Sequence, residues 1–310
     1  MRIMFMGTPE IAAKCLSGLV ADGHSVVAAI TGEDKPRGRK MIMTKTAVKA
    51  MAEELSIPVY TPKTLKDNEF SELLSEIAPD LICVVAYGKI LPPEVIHYPR
   101  LGCINLHVSL LPKYRGAAPM QRAIIEGESE TGVTVMFMDE GLDTGDIVEQ
   151  VKFPISPVDD FETIHDRSAE IGARLLSDTL KKIEDGSATR TPQDSTLATY
   201  AKKIEKEDCK LNFANSAKSL DFLIRGVTPI PGAFAYLNGK MLKINKATPT
   251  AATGTPGQVI AVDSVGDGSF TVACGDGALI VKTVIPEGKG KMSAGDFIRG
   301  RKIGKGDILE

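Results

Sequence analysis

Short apolar runs alternate with segments of helical period through residues 1–190, and this alternation limits the possible folds more than any other feature. The runs RIMFM (2–6), HSVVAAIT (24–31) and DLICVVAYG (80–88) are predicted strands. The third is almost continuously apolar, which is typical of a strand covered on both faces. Strands that alternate with helices form a largely parallel sheet. We therefore predict the α/β class, with a Rossmann-like doubly wound sheet.

The pattern changes after residue 190. Residues 191–207 are polar and rich in turn-forming residues, so we predict a linker there. Beyond it, one helical segment precedes short apolar runs separated by glycines, and LNGK (237–240) is a hairpin signal. We predict that residues 208–310 form a small C-terminal β-barrel domain of OB-like type, and that residues 1–190 form the first domain.

Charge and length restrict the class of protein further. The chain has 310 residues, enough for two domains, and a net charge of −3, so the whole molecule does not resemble a basic nucleic-acid binder. Residues 205–310 nevertheless carry 14 Lys and Arg against 11 Asp and Glu. This asymmetry is a weak indication of an anionic partner for the C-terminal part. Ordinary scatter of surface charge explains it better on this evidence alone.

Targeting and metal signals are absent from the sequence. The opening residues MRIMFMGTPE do not form a signal peptide, and no apolar run approaches the ~18 residues of a membrane helix. The five cysteines form no CxxC pair, and none of the four histidines has a ligand partner four residues on. We therefore expect a cytoplasmic protein in a reducing compartment, with no membrane span and no metal site.

The first strand-to-helix turn argues against the common nucleotide cofactors. Its sequence, MGTPE, contains only Gly7 where a dinucleotide site has G-x-G-x-x-G, and Pro9 stiffens the turn. No Walker A sequence occurs either. The fold is expected to be Rossmann-like, without a site for NAD, FAD or a nucleoside triphosphate.

The segment CINLHVSLLP carries the clearest chemical signal. Asn105 and His107 lie two residues apart on a predicted strand, so their side chains share a face near the end where doubly wound sheets bind ligands. A histidine there can transfer a proton near pH 7, and an asparagine amide can donate to an oxyanion. Asp143, in the turn GLDTGD after the neighbouring predicted strand, could orient His107. A structural polar pair with a capping aspartate is the alternative.

The residues after His107 have a second possible use. Ser109 to Pro112 form an apolar wall that could pack a flat heterocycle while their backbone groups bond to it, and KYRG adds a cationic edge. A plain exit from strand to loop is at least as consistent with the spacing.

Several stretches together resemble a known family. RIMFMGTPEIA, VVAYGKILP, GCINLHVSLLPKYRGAAP, GESETGVTVMFMDEGLDTGDIV and MSAGDFI are similar, in order and spacing, to the methionyl-tRNA formyltransferases within the folate-dependent formyltransferase group. The resemblance implies a Rossmann-like catalytic domain and a C-terminal β-barrel that helps to hold tRNA. It implies formyl transfer from 10-formyltetrahydrofolate to the α-amino group of methionyl initiator tRNA, for translation initiation. We expect a monomer.

The resemblance also assigns roles to residues. The catalytic residues it implies are Asn105, His107 and Asp143. The folate-binding residues it implies are Ser109, Leu110, Leu111 and Pro112. Arg39 matches a loop arginine that contacts tRNA, although the basic loop here is about two residues shorter than is common in the family. Val108 stands where the family usually has a smaller residue, and we expect its side chain to point away from Asn105 and His107.

Rival functions remain open at this stage. A formyltransferase for a purine ribotide or an amino sugar, or a deformylating hydrolase, would use the same three residues. A non-catalytic RNA-binding protein would leave them without a purpose. Phosphate contacts in the barrel are expected from basic side chains. The candidates are Lys240, Lys243, Lys246, Arg299, Arg301 and Lys302.

Overall fold

The structure is a computed structural model that describes residues 1–37 and 41–310. Within these ranges the helices are α1 Glu10–Ala21, α2 Ala47–Glu54, α3 Asn68–Ile77, α4 Pro93–Ile96, α5 Pro119–Ile125, α6 Phe161–Glu184, α7 Ala217–Val227 and α8 Ala294–Arg299. The strands are β1 Arg2–Gly7, β2 Ser25–Ile30, β3 Lys35–Arg37, β4 Ile42–Thr44, β5 Val59–Tyr60, β6 Leu81–Val85, β7 Cys103–His107, β8 Arg115–Gly116, β9 Glu130–Phe137, β10 Ile147–Pro154, β11 Tyr200–Ala201, β12 Ala233–Leu237, β13 Lys240–Thr250, β14 Val259–Asp263, β15 Ser269–Ala273, β16 Ala278–Pro286 and β17 Met292–Ser293.

The first of two compact units contains the predicted Rossmann-like sheet. The unit comprises Met1–Pro119, Glu130–Pro154 and His165–Ala201. Its seven strands lie in the order β10-β9-β7-β6-β1-β2-β5, and the five from β7 to β5 are parallel. The chain order reverses between β1 and β6, which is the switch point of a doubly wound sheet. The predicted α/β class is confirmed.

The local sequence explains why these elements form. In β1 every residue except Arg2 is buried, as the continuous apolar run predicts. Helix α3 begins after Asp67, whose Oδ1 accepts a 2.9 Å hydrogen bond from the Phe70 amide, so Asp67 is the N-cap. Phe70 packs in a buried cluster with Met4 of β1 and Ile82 of β6. Burial of each such side chain contributes about 1.5–3 kcal/mol, which holds the helix on the sheet.

The second compact unit contains an antiparallel β-barrel. The unit comprises Met120–Ser129, Ile155–Ile164 and Lys202–Glu310. Its strands follow the order β12-β13-β16-β15-β14, with β17 beside β16. The C-terminal residues close the sheet. Glu310 exchanges backbone hydrogen bonds with Tyr236 of β12, and Leu309 N–H donates to Gly257 O, just before β14, at 2.8 Å. The predicted LNGK hairpin joins β12 to β13, with φ of +51° at Asn238 and +73° at Gly239.

Two predicted connections contain secondary structure. The segment predicted as a linker, 191–207, includes β11, which pairs in parallel with β8 (Tyr200 with Arg115, Ala201 with Gly116). Each compact unit is built from several separate segments of the sequence, whereas each predicted domain is one continuous segment, 1–190 or 208–310.

The basic loop around Arg39 includes a two-stranded ribbon, in which β3 pairs with β4. Arg39 lies outside the described residues. No helix in the described part of the chain is long and apolar enough to cross a membrane.

Candidate active site

Strand β7 presents two polar side chains on one face in the middle of the sheet. Asn105 pairs with Val84 of β6 on one side and Met136 of β9 on the other, and His107 pairs with Thr134 of β9. The Asn105 side chain is half-buried and has no hydrogen bond within the described residues. Its amide therefore keeps two donors and an acceptor available for a ligand.

The ring of His107 is buried and held by a backbone carbonyl. Its exposed fraction is 6%, and Nε2 lies 2.9 Å from Tyr114 O. Because a carbonyl oxygen only accepts, Nε2 carries a proton. Nδ1 then remains for proton exchange, and it faces Asp143 Oδ2 at 3.7 Å. This distance is too long for a hydrogen bond but short enough for strong attraction when the ring is protonated.

Asp143 reaches His107 by a different route from the one that strand-end reasoning predicts. Strand β9 runs antiparallel to β7, and its last residue, Phe137, pairs with Ile104 near the start of β7. The turn that follows β9 therefore begins at the end of the sheet where β7 starts, and it folds back toward the end where His107 lies. Asp143 has a φ of +54°, and its Oδ2 accepts a 2.8 Å hydrogen bond from the Gly116 amide. The structure thus brings Asp143 and His107 together, as expected.

Side chains of β9 and β10 bind the backbone of the segment Ser109–Pro112. Thr134 Oγ1 donates to Ser109 O at 2.6 Å and accepts from Leu111 N–H at 3.3 Å. Gln150 Nε2 donates to Leu111 O at 2.8 Å. Protein groups therefore occupy much of the backbone that was expected to bond to a heterocycle. Ser109 and Leu111 are buried, whereas Leu110 and Pro112 remain half-exposed and offer apolar surface. Val108 follows β7 directly and is half-buried.

The predicted cationic edge is partly wrong. Arg115 is only 2% exposed, and its guanidinium bonds to Gln193 Oε1. Its side chain is directed to the amide oxygen of Gln193 instead of to solvent. Lys113 is the exposed cation of this stretch.

Sequence reasoning missed three residues that build the site: Thr134, Gln150 and Gln193. It named Arg115 only as part of a cationic edge, not as the buried partner of Gln193. Thr134 interrupts an apolar strand, and this interruption is the same signal that marks Asn105. Gln150 carries no such signal, because Glu149 and Lys152 make its strand polar. Gln193 follows no local pattern, since its bonds are to residues 48 to 78 positions earlier. Among the described residues, no cluster of three or more His, Cys, Asp or Glu could hold a metal ion.

Two family models match the chain. The formyl transferase model covers residues 1–180, and the formyl transferase C-terminal domain model covers residues 203–302. The first alone spans more than half of the sequence. The fold and the site therefore define a one-carbon group transferase, and the chain belongs to the formyl transferase family.

Within this family, the chain is similar over its whole length to methionyl-tRNA formyltransferases. The chain is 44% identical over 309 residues to the methionyl-tRNA formyltransferase of Geotalea uraniireducens, covering 100% of this chain and 98% of the relative. It is 45% identical over 312 residues to the methionyl-tRNA formyltransferase of Pelotomaculum thermopropionicum, with the same two coverages. These similarities extend over both compact units.

Solved structures share the fold at lower identity. A crystal structure of HypX from Aquifex aeolicus in complex with tetrahydrofolic acid matches with a TM-score of 0.67 and 20% identity, covering 100% of this chain and 50% of that one. An N-formyltransferase from Helicobacter canadensis, in complex with folinic acid and dTDP-3-aminofucose, has a TM-score of 0.65 at 19% identity, covering 90% and 98%. At this identity the matches support the fold.

Proposed function

We propose that this protein transfers the formyl group of 10-formyltetrahydrofolate to the α-amino group of methionine on initiator tRNA. The product is formylmethionyl-tRNA, which starts translation. The observation that carries the proposal is the identity of 44% and 45% to methionyl-tRNA formyltransferases over the whole of this chain. The side chains at the end of β7 supply the chemistry, since an amide, an imidazole and a carboxylate lie together there.

The reaction joins the amine nitrogen to the formyl carbon and then breaks the bond from that carbon to N10 of the folate. The Asn105 amide donates to the oxyanion that forms on the formyl oxygen. A proton on Nδ1 of His107 makes the ring cationic, and this charge stabilises the same oxyanion. Asp143 stabilises the cationic ring and relays the proton that the amine loses. A proton delivered to N10 completes the balance and lets the folate leave.

The segment Ser109–Pro112 is the proposed folate contact. Leu110 and Pro112 offer half-exposed apolar surface beside His107, which suits a flat pteridine ring. Thr134 and Gln150 fix the shape of this segment through its backbone, so the contact surface is formed before the substrate binds. Preorganisation of this kind places the formyl carbon near the amine, and proximity supplies much of the rate.

We propose that the tRNA contacts Arg39 and the barrel domain. The proposed bounds of this domain are residues 208–310. Of the six basic candidates, Lys243 and Arg299 bond to backbone carbonyls of their own unit, Lys243 to Pro231 O and Arg299 to Ser264 O and Gly266 O. Four exposed candidates remain for phosphate: Lys240, Lys246, Arg301 and Lys302. We further propose that the protein acts as a monomer in the cytoplasm, which sedimentation equilibrium and cell fractionation would test.

One assay separates this function from its rivals. Purified protein is incubated with 10-formyltetrahydrofolate and, in parallel reactions, with methionyl initiator tRNA, a purine ribotide amine, an amino-sugar nucleotide or buffer alone. We expect formylmethionine on the tRNA and no comparable product in the other reactions. Formylation of the ribotide or the sugar, release of formate in buffer, or salt-sensitive tRNA binding without turnover would each contradict the proposal.

A further inference from the structure

Gln193 holds the turn that carries Asp143. Its Nε2 donates to Asp143 O at 2.8 Å and to Gly145 O at 2.7 Å. Leu142, the large apolar side chain of this turn, is 61% exposed, so apolar packing contributes little to its position. Two hydrogen bonds from the Gln193 amide to alternate carbonyls anchor the backbone at residue 143. They add to the bonds that Asp139 Oδ1 accepts from Gly141 N–H and Thr144 Oγ1 within the turn. The direction of the backbone determines where the Asp143 carboxylate points.

Arg115 fixes the orientation of the Gln193 amide. Its Nη2 and Nε lie 2.7 and 3.2 Å from Gln193 Oε1. A guanidinium only donates hydrogen bonds, so Oε1 must face Arg115 and Nε2 must face the turn. Arg115 is 2% exposed and, within the described part of the chain, no carboxylate pairs with it. A buried cation without an acceptor is costly, and this cost keeps the Gln193 carbonyl in place.

The short ribbon formed by β8 and β11, which contains Arg115, also binds the carboxylate of Asp143. Gly116 follows Arg115, and its amide donates to Asp143 Oδ2 at 2.8 Å. Thr199 supports this ribbon, since its Oγ1 accepts from Tyr114 N–H at 2.9 Å and its carbonyl accepts from Arg115 N–H at 2.8 Å. Asp143 is therefore held at its backbone by Gln193 and at its side chain by Gly116.

We propose that Gln193 and Arg115 are positioning residues for Asp143. Arg115 orients the Gln193 amide, and this amide holds the turn that carries Asp143; we call this pair of residues the relay. The inference rests on the proposed function, in which Asp143 acts on His107. Neither residue needs to touch a substrate for this role. Loss of the relay should therefore lower kcat while the KM values for folate and tRNA change little.

Gln193→Glu tests the relay with little disturbance elsewhere. The variant keeps an oxygen that accepts from Arg115. It replaces the amide group that donates to Asp143 O and Gly145 O with a carboxylate oxygen, which repels both carbonyl oxygens. We expect kcat to fall about 10–100-fold, the scale of a 1 Å misplacement at a reacting centre. We also expect the His107 ring signals in ¹⁵N-histidine NMR to shift, because Asp143 moves relative to Nδ1. Asn68→Asp is the control, since it makes the same amide-to-carboxylate change at an exposed position in the same unit.

Two results would overturn the relay. One is a kcat within about twofold of wild type in both Gln193→Glu and Gln193→Ala, well below the loss expected from misplacement. The other is a kcat that falls only with the folded fraction, measured by circular dichroism, while the His107 signals stay unchanged. If the wild-type protein fails to formylate tRNA, the proposed function is wrong, but the NMR comparison still decides whether Gln193 positions Asp143 against His107.

Discussion

His107 differs from other histidines of the chain in how its ring nitrogens are used. Nε2 is committed to a backbone carbonyl and Nδ1 faces a carboxylate, in a ring that is 6% exposed. His97 provides a contrast, because its side chain is 64% exposed and its ion pair, with an exposed Glu140, spans 3.7 Å. Burial and two fixed neighbours hold the His107 ring in one orientation, as a proton-transferring group requires.

We expect His107→Ala to remove most of the activity. Loss of an acid–base group typically lowers kcat by about 10²–10⁴-fold. His97→Ala, the same substitution at the exposed histidine, should retain wild-type kcat. Steady-state formylation of tRNA measures both, and circular dichroism checks that each variant is folded. A kcat within about tenfold of wild type for His107→Ala would refute its proposed role, since it falls below that range.

The buried cysteines predict how stability responds to alkaline pH. All five thiols are free and buried, and burial raises the pKa of Cys15 from 9.0 to about 12 and of Cys274 from 9.0 to about 11. The pKa values of these thiols are higher in the folded state than in the unfolded chain. The free energy of unfolding is therefore unaffected by thiol ionisation below pH 9, and it falls as the pH rises from 9 toward the pKa values of the folded state. The unfolded chain loses its thiol protons first.

The test compares unfolding by urea at several pH values from 8 to 11 for wild type and Cys15→Ala. Each thiol of this kind should lower the free energy of unfolding by about 1.4 kcal/mol per pH unit above pH 9. Cys15→Ala should be less stable at pH 8, because it leaves a small cavity, but its stability should fall less steeply with pH. Equal slopes for the two proteins would contradict the assignment.

At the scale of elements, the short pairing of β8 with β11 is what brings distant segments to the site. Gly116 has a φ of +118°, and a Cβ at this position would lie 2.9 Å from Ala201 O of β11. Only glycine therefore fits between the two strands while its amide binds Asp143. The ribbon of two residue pairs is small, but both the carboxylate and the His107 carbonyl partner depend on it.

Gly116→Ala should separate β8 from β11 and impair catalysis. We expect a loss of about 1–3 kcal/mol in stability, from backbone strain, together with a lower kcat. Gly186→Ala is the matched control, because Gly186 also has a positive φ, +78°, but apart from its chain neighbours no atom of the described residues lies within 4 Å of the added Cβ. It should lose about 1 kcal/mol and keep its kcat. Thermal unfolding and formylation rates measure both effects, and equal kcat values for the two variants would count against the ribbon's role.

The sequence predicts individual elements better than their directions. Apolar runs such as β1 and β6 carry their own signal, and the Asp67 cap lies within the first turn that it stabilises. The shared face of Asn105 and His107 follows from strand geometry alone. The antiparallel direction of β9 does not, because apolar periodicity is the same in both directions. The route of the Asp143 turn was therefore unpredictable, and so was Gln193, which only tertiary structure brings to that turn.

At the scale of the whole molecule, each unit has its own apolar core. One buried cluster surrounds Phe70 in the first unit, and another surrounds Phe270 in the barrel. The excess of basic residues in 205–310 is a property of composition, visible in the sequence, whereas the commitment of Lys243 and Arg299 to backbone carbonyls is visible only in the structure. Charge alone could therefore not select the cations that remain for phosphate.

Salt should weaken tRNA binding, and the exposed lysines of β13 should account for part of that dependence. We expect the KM for tRNA to rise with salt concentration, because each neutralised phosphate releases counterions, while the KM for folate changes little. Lys240→Glu with Lys246→Glu should raise the tRNA KM and reduce the slope of log KM against log salt by about one for each phosphate that is no longer neutralised. The control is Lys14→Glu with Lys66→Glu, which makes the same charge change at exposed positions of the first unit. If both double variants show the wild-type slope, Lys240 and Lys246 do not bind the tRNA backbone, and Arg301 and Lys302 become the residues to test.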